Sequence, residues 1–116
     1  MRTAQAIARG LQAGNVELEG DPCPVDELPK DLDVRMHRAR AVVIAAARLN
    51  HETLLRRDGV FEIATRARQT GVPCYAVTAG NALDLFEARI LDLQVVLEGS
   101  GERGLAAAGK QLAGLL

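Results

Sequence analysis

Apolar residues along this chain follow two spacings, one typical of buried strands and one typical of amphipathic helices. The run AVVIAAA at residues 41–47 is unbroken, small and β-branched, which is the pattern of a parallel strand covered on both faces. Residues 60–70 instead place apolar side chains at helical spacing, and Gly71 followed by Pro73 ends that pattern. The sequence therefore predicts a central strand at residues 41–47 and a helix after it.

The alternation of strand and helix continues toward both ends of the chain. An amphipathic pattern predicts a helix that ends at Gly14 and Asn15, and residues 16–18 have the composition of a short strand. Asp84 and Glu87 have the spacing of a capping box. Further strands are predicted at residues 74–80 and 93–99 and further helices at residues 85–92 and 101–116, the last with Leu105, Ala108, Leu112 and Leu115 on one face.

Short loops between alternating strands and helices predict an α/β fold, because parallel neighbours need a crossover helix. We expect a single domain over residues 1–116, a small Rossmann-like layer fold with about four mainly parallel strands and flanking helices. Three prolines exclude continuous regular structure from the longest connector, residues 19–40. Ligands of such sheets bind outside the carboxyl ends of the strands, so the site is expected at loops 19–27, 47–52, 78–84 and 98–104.

Composition and charge are those of one compact domain. Of the 116 residues, 48% are hydrophobic and 25% are charged, which is ordinary globular composition. The formal net charge of -1, with one tyrosine and two phenylalanines, gives neither a field nor a stacking surface for nucleic acid. No apolar run approaches the roughly 20 residues that span a bilayer, and the N-terminus has an amphipathic helix pattern rather than that of a signal peptide. We expect a cytoplasmic protein that binds neither nucleic acid nor membrane.

The two cysteines do not form a recognisable site pattern. Cys23 and Cys74 lie far apart, and the chain has no C-x-x-C motif, so both are predicted to be reduced. A buried structural thiol is the commoner role of such cysteines. Neither histidine has the spacing of a metal ligand, and no metal site is predicted.

Gly99, Gly101 and Gly104 have the G-x-G-x-x-G spacing of a dinucleotide-binding loop. That motif also needs a second strand and an acidic residue about 20 positions further on, but only twelve residues follow Gly104. We therefore interpret the glycines as a flexible turn between strand and helix. Free amides at a helix start still attract anions, which makes Ser100 and Gly101 candidate anion-binding residues, although Ser100 is also a candidate helix cap.

The densest polar cluster follows the predicted central strand. Its donors and acceptors are suited to an anionic substrate, with Arg48, Asn50 and Thr53 as candidate binding residues and Asn50 and Glu52 as weak catalytic candidates. The alternative is that Asn50 or Thr53 only caps a short helix through Leu54 and Leu55. Ser100 is the single serine, which argues against a hydrolytic triad.

Two segments resemble the bacterial glycerate kinase family. The run ARAVVIAAARLNHETLLRRDG followed by ATRARQTGVPCYAV resembles the C-terminal part of that family, where a strand enters a motif of the form I-T-G-E-G-R-L-D-x-Q-T/S, followed by a glycine-lysine pair, a helix and G-V-P-V. The segments AQAIARGLQAG and VELEG resemble its first helix and second strand. The matched positions are Arg48, Leu49, Thr53, Gly71, Val72 and Pro73.

The resemblance implies a Rossmann-like domain from a kinase that uses ATP to phosphorylate glycerate in a cleft between two domains. The second domain of the family is inserted where this chain has its connector between Leu18 and Arg40. We expect the inserted domain to be absent here. By the same resemblance, the family's first strand, with its lysine-containing loop, is expected to be missing before Met1.

The family motif itself has changed in this sequence. Residues 45–47 are alanines where the family has Gly-Glu-Gly, Asn50 stands at its aspartate, and Arg56 and Arg57 stand at its glycine-lysine pair. Phosphoryl transfer needs carboxylates to hold metal and orient the acceptor hydroxyl, so these changes predict a loss of catalysis.

These observations lead to one preferred function and two alternatives. The preferred function is a pseudoenzyme that acts as a binding or assembly module and has no cofactor alone. The first alternative is an active phosphotransferase with ATP and magnesium, completed by a second chain or copy. The second is a module that binds a small anion. A sheet without the family's first strand has an exposed edge, which predicts a homodimer.

Overall fold

A computed structural model describes residues 2–20, 22–24, 27–56 and 59–116, and it places a parallel sheet between two layers of helices. Within these residues the sheet has three strands in the order β1-β2-β3, namely β1 Val42–Ala46, β2 Cys74–Thr78 and β3 Leu93–Glu98. Strands β1 and β2 pair in parallel with Val42 opposite Cys74, and β2 pairs in parallel with β3. The predicted α/β layer fold is confirmed.

Six helices surround the sheet in the described part of the chain, and each face of the sheet has its own apolar core. One core is formed with α2 (Leu32–Arg38) and α4 (Val60–Thr70), and Ile44 and Ala76 belong to it. The other is formed with α1 (Arg2–Ala13) and α6 (Gly101–Ala113) and contains Val77. Residues of β1 alternate between the two cores, as period-two geometry requires. The helices are α1 Arg2–Ala13, α2 Leu32–Arg38, α3 His51–Arg56, α4 Val60–Thr70, α5 Leu85–Ile90 and α6 Gly101–Ala113.

Helices α1 and α6 run in the same direction and approach each other through small residues. Arg2 and Arg9 both reach Glu102 at the start of α6, at 4.0 and 3.8 Å. Gly14, just past the end of α1, lies against Ala113 at the end of α6. Because α6 leaves the carboxyl end of β3, α1 also begins at the carboxyl end of the sheet.

The start and stop signals in the sequence are confirmed where the backbone requires them. Gly71 ends α4 in the left-handed conformation, with φ 83°, and Asn15 follows α1 with φ 68°. Asp84 accepts a hydrogen bond from the Glu87 N–H, and Glu87 accepts one from the Asp84 N–H, which completes the predicted capping box.

The predicted fourth strand at residues 16–18 is wrong. Val16 and Leu18 are half-buried against the α1 and α6 core, and Glu17 is exposed, so the side chains alternate as in a strand. The backbone, however, does not pair with β1. A β-strand needs backbone hydrogen bonds to a neighbouring strand, and here a groove separates residues 16–18 from β1.

The run at residues 41–47 is therefore an edge strand rather than the central one, which is β2. Helices cover both of its faces, and this explains its unbroken apolar composition. One further expectation is wrong: Leu115 is 54% exposed rather than on the apolar face of the last helix, because α6 ends at Ala113. The connector contains α2 after its last proline, which agrees with the expectation that it is not one continuous element.

None of the described helices is both long enough and apolar enough to cross a bilayer. Arg57, which the resemblance places at the second half of the glycine-lysine pair, lies outside the described residues. So do Asp21, Val25 and Asp26 of the loop predicted to approach the site.

Candidate functional site

The loop after β1 brings most of the predicted polar cluster together. Arg48, Asn50, Glu52 and Thr53 line a shallow depression of about 280 Å³ at the carboxyl end of the sheet. Other lining residues are Arg56, Gly59 and Val60. The arrangement presents two arginines beside short polar side chains, which suits a small anion better than a metal ion.

Asn50 and Thr53 also start helix α3. Asn50 Oδ1 accepts a hydrogen bond from the Glu52 N–H at 3.0 Å, and Thr53 Oγ1 accepts one from the Asn50 N–H at 3.1 Å. These are the local bonds by which such side chains begin helices. The capping role that the sequence left open is therefore present, and it uses the oxygen atoms that a ligand would otherwise meet.

Ser100 and Gly101 are not part of the depression. They follow β3, and β2 lies between β3 and β1, the strand that precedes Arg48. Ser100 stands at the N-cap position of α6, but its side chain makes no capping bond. The structure thus separates two of the candidate anion-binding residues from the other three.

The loops after β1 and β2 are joined to each other by backbone hydrogen bonds. The Leu49 N–H donates to the Gly80 carbonyl at 2.9 Å, and the Ala82 N–H donates to the Leu49 carbonyl at 2.7 Å. An isolated parallel bridge links Leu49 with Asn81. These bonds continue the pairing of β1 and β2 beyond Ala46 and Thr78.

A side-chain pair adds a second link across the same loops. His51 Nδ1 donates to Glu87 Oε2 at 2.7 Å, while Glu87 Oε1 accepts the Asp84 N–H at 3.0 Å. The Asp84 hydrogen bond, followed by the His51 contact, holds the pKa of Glu87 below its usual 4.5. One carboxylate therefore caps α5 and fastens α5 to the start of α3.

We expect the free energy of unfolding to depend on this carboxylate in acid. Because the folded pKa lies below the unfolded value, ionised Glu87 stabilises the fold above pH 4.5, and that contribution is lost as the pH falls through the folded pKa. In urea unfolding between pH 3 and 7, the difference in free energy of unfolding between wild type and Glu87→Gln should narrow as the pH falls.

The exposed carboxylate Glu17 supplies the matched control for this titration. Glu17→Gln removes one exposed negative charge and so controls for the change in net charge that the two substitutions share. A Glu87→Gln curve that runs parallel to the wild-type curve at every pH would contradict the role of Glu87.

The glycine motif serves the packing of the turn between β3 and α6. A Cβ at Gly99 would lie 2.3 Å from the Gly104 carbonyl oxygen, so the two glycines allow their backbones to touch. Gly101 adopts φ 67°, a left-handed conformation, with no atom within 4 Å of an added Cβ. The interpretation as a turn between strand and helix is confirmed.

Gly99→Ala should destabilise the protein by about 2 kcal/mol, because its Cβ meets fixed backbone rather than a side chain that could rotate away. Gly101→Ala is the control in the same motif and should cost about 1 kcal/mol, the strain of a left-handed alanine. Thermal unfolding measures both. Equal losses for the two variants would show that the contact with Gly104 is unimportant.

The two thiols differ in environment. Burial, reinforced by the nearby Asp92, raises the pKa of the Cys74 thiol to about 12. Cys23 is exposed, and no disulfide joins it to Cys74. Throughout the described ranges, no three histidine, cysteine, aspartate or glutamate side chains come together as a metal site would require.

A larger opening lies along the free edge of β1, and we call it the β1 groove. It has a volume of about 820 Å³ and runs between residues 15–20 and the strand. Apolar side chains of α1 and α2 line it from both faces of the sheet, among them Ile7, Leu11, Leu32 and Met36. The sequence predicted an exposed sheet edge, but it did not predict a groove along that edge.

Comparison with models of known families, with curated proteins and with solved structures gives no match to this chain.

Proposed function

We propose that this chain is a glycerate kinase-like domain that has lost phosphoryl transfer and serves as a binding or assembly module. The observation that carries the proposal is the β1 groove. A strand with the composition of a fully buried one stands at the edge of the sheet, and an apolar opening lies beside it. Sheet edges of this kind pair with other segments unless they are covered.

The loop after β1 supports the loss of catalysis. At the position of the family's glutamate, Ala46 ends β1 and pairs with Thr78. Asn50, at the position of its aspartate, holds the start of α3 with its side-chain oxygen. An alanine supplies no metal ligand and a neutral amide is a poor base, so neither residue can replace a carboxylate in phosphoryl transfer.

A coupled assay of the purified chain with ATP, magnesium and D-glycerate tests this proposal. We expect no turnover above the rate without protein. The rival function is an active kinase completed by a second chain or copy. Turnover that disappears in Asn50→Ala but persists in the control Asn81→Ala, from the adjoining loop, would establish that rival.

Binding of a small anion is the second candidate, and the two arginines of the 280 Å³ depression favour it. Calorimetry with phosphate, glycerate and ATP measures this binding directly. Heat that is lost in Arg48→Gln and kept in Arg103→Gln, on the exposed first turn of α6, would assign the anion to this depression. No heat with any of the three would leave the assembly role.

The expected homodimer remains a prediction of this proposal. Two copies could join through the free edge of β1 only if residues 15–20 of both copies moved aside. Light scattering across micromolar concentrations measures the mass, and a constant monomer mass would rule out the dimer.

A further inference from the structure

Resting on the proposed assembly role, we propose that the β1 groove takes an uncharged, extended apolar segment of a partner polypeptide as a further parallel strand. The segment would lie between β1 and residues 16–18 and would make the sheet continuous across them. Recognition of the partner would depend on backbone hydrogen bonds and on burial of its apolar side chains rather than on charge.

The backbone of β1 supplies the first argument. The Val42 N–H donates toward β2, and the Ala46 carbonyl accepts from the Ala79 N–H beyond the end of β2. Backbone groups alternate in direction along a strand, so the N–H and carbonyl groups of Val43 and Ala45 point into the groove. Within the described ranges no backbone bond connects β1 to residues 15–20.

The two walls of the groove supply the second argument. Ile7 and Leu11 of α1 cover it from one face of the sheet, and Leu32 and Met36 of α2 cover it from the other. A strand placed there is buried on both faces, so successive side chains all meet apolar surface. The five residues of β1 match a segment about 16 Å long.

The charges on the rim argue for an uncharged occupant. Glu19 on one side forms an ion pair with Arg38 on the other at 2.8 Å, and Arg35 is paired with Asp31 at 3.1 Å. Glu17 and Arg40 also line the groove and carry opposite charges, so its described charged side chains together with Asp31 sum to zero and offer little attraction to a phosphate or to a strongly charged peptide. Affinity has to come from strand pairing and apolar burial.

The direction of the segment follows from the rest of the sheet. All three strands are parallel, and α1 begins at the carboxyl end of the sheet. Residues 19 and 20 approach Arg38 and then Arg35, so this flanking segment moves backward along α2. Residues 16–20 follow α1, which ends at the amino end of the sheet, so they leave that end in the direction of β1, and a segment between the two continues a uniform parallel sheet.

The shape of the groove favours a single segment over a second copy of this chain. Each copy has its β1 edge behind its own residues 15–20. Two folded copies could join these edges only by displacing both flanking segments. One extended segment can enter the groove with the walls in place.

Amide hydrogen exchange of the labelled full chain tests the proposal. The probe is a peptide with the sequence Val-Ile-Val-Val-Ala between lysine pairs. At saturating peptide, we expect exchange of the Val43 and Ala45 amides to slow by about tenfold, the effect of one added backbone hydrogen bond. The Val42 and Ile44 amides already face β2 and should change less.

A peptide of the same sequence with all five core amides methylated is the matched control. It keeps the apolar side chains but cannot donate the backbone bonds, so it should bind at least tenfold more weakly. The variant Ala45→Pro, checked for folding by circular dichroism, removes one outward N–H from β1 and should also weaken binding. An edge position that points away from its neighbour tolerates proline.

Spin labels on the peptide report its direction. A parallel segment brings its amino end near Val42 and its carboxyl end near Ala46, so each label should broaden the nearer of these two amides more strongly. The opposite pattern would overturn the parallel direction.

Equal binding of the methylated peptide would overturn strand pairing. Protection of Val43 and Ala45 that grows with protein concentration in the absence of peptide would assign the groove to a second copy. The same protection produced by inorganic phosphate would assign it to an anion. Kinase turnover, by contrast, would refute the proposed loss of catalysis and leave the exchange result standing.

Discussion

Gly10→Ala should lower the free energy of unfolding by about 3 kcal/mol, a large part of the 5–15 kcal/mol typical of a domain. A Cβ at this position would lie 1.9 Å from the Ala106 carbonyl oxygen and 2.9 Å from the Lys110 nitrogen. Both are backbone atoms, so no side-chain rotation relieves the contact. The helices would have to separate, and the apolar core between them and the sheet would loosen.

The intrinsic helix preference of alanine opposes this effect by only about 1 kcal/mol, so the clash decides the sign. Gly114→Ala is the matched control at the end of the neighbouring helix. Its Cβ would meet the Gln111 carbonyl oxygen at 3.4 Å, and its φ is -71°, which any residue adopts. Urea unfolding should separate the two variants clearly, and similar midpoints would refute the close approach of α1 and α6.

Leu49→Ala should destabilise the protein by about 3 kcal/mol, because it removes a leucine with 0% exposure from the core. Leu49 joins the first loop to the second through two backbone hydrogen bonds, and its side chain belongs to the core beneath α4. The fixed backbone limits how far the surroundings can close the cavity. The loss in free energy of unfolding should therefore be as large as is usual when a buried leucine is replaced by alanine.

Leu55→Ala is the control for this prediction, since Leu55 stands in the adjacent helix α3 and is 66% exposed. Its substitution should change the free energy of unfolding by less than about 0.5 kcal/mol. The urea midpoint, together with an unchanged slope, measures both variants. A Leu49→Ala loss as small as that of Leu55→Ala would show that the joined loops do not anchor the core.

Local signals in the sequence were sufficient for most elements. The strongest cases are α4, which begins at Val60 and ends before Gly71, and α5, which begins after the Asp84 capping box. In each case the residues that decide the boundary lie within a few positions of it. Helix starts and left-handed stops depend on such neighbours, so a single sequence contains the necessary information.

The order of strands could not be obtained in this way. Residues 41–47 have the composition of a central strand and stand at an edge, and residues 16–18 have the alternation of a strand without a partner. Strand pairing depends on which segments meet across long distances in sequence. An edge strand between two layers of helices is also buried on both faces, so its composition is the same as that of a central strand.

The candidate site was predictable as a location but not as a function. Loop composition identified Arg48, Asn50, Glu52 and Thr53, and the structure brings them together. It left open whether the oxygens of Asn50 and Thr53 bind a ligand or cap α3, and it gave no sign that Leu49 joins the loops after β1 and β2. These contacts are set by the folded backbone, which spacing alone does not specify.

The unequal environments of the two cysteines make one of them a chemical reporter. Cys23 is exposed and lines the β1 groove, whereas Cys74 is buried with a thiol pKa of about 12. A maleimide should therefore modify the folded chain at a single atom, because the thiolate is the reactive form and only Cys23 is accessible. The modification rate then records, in solution and without isotopes, how much of the time the groove is filled.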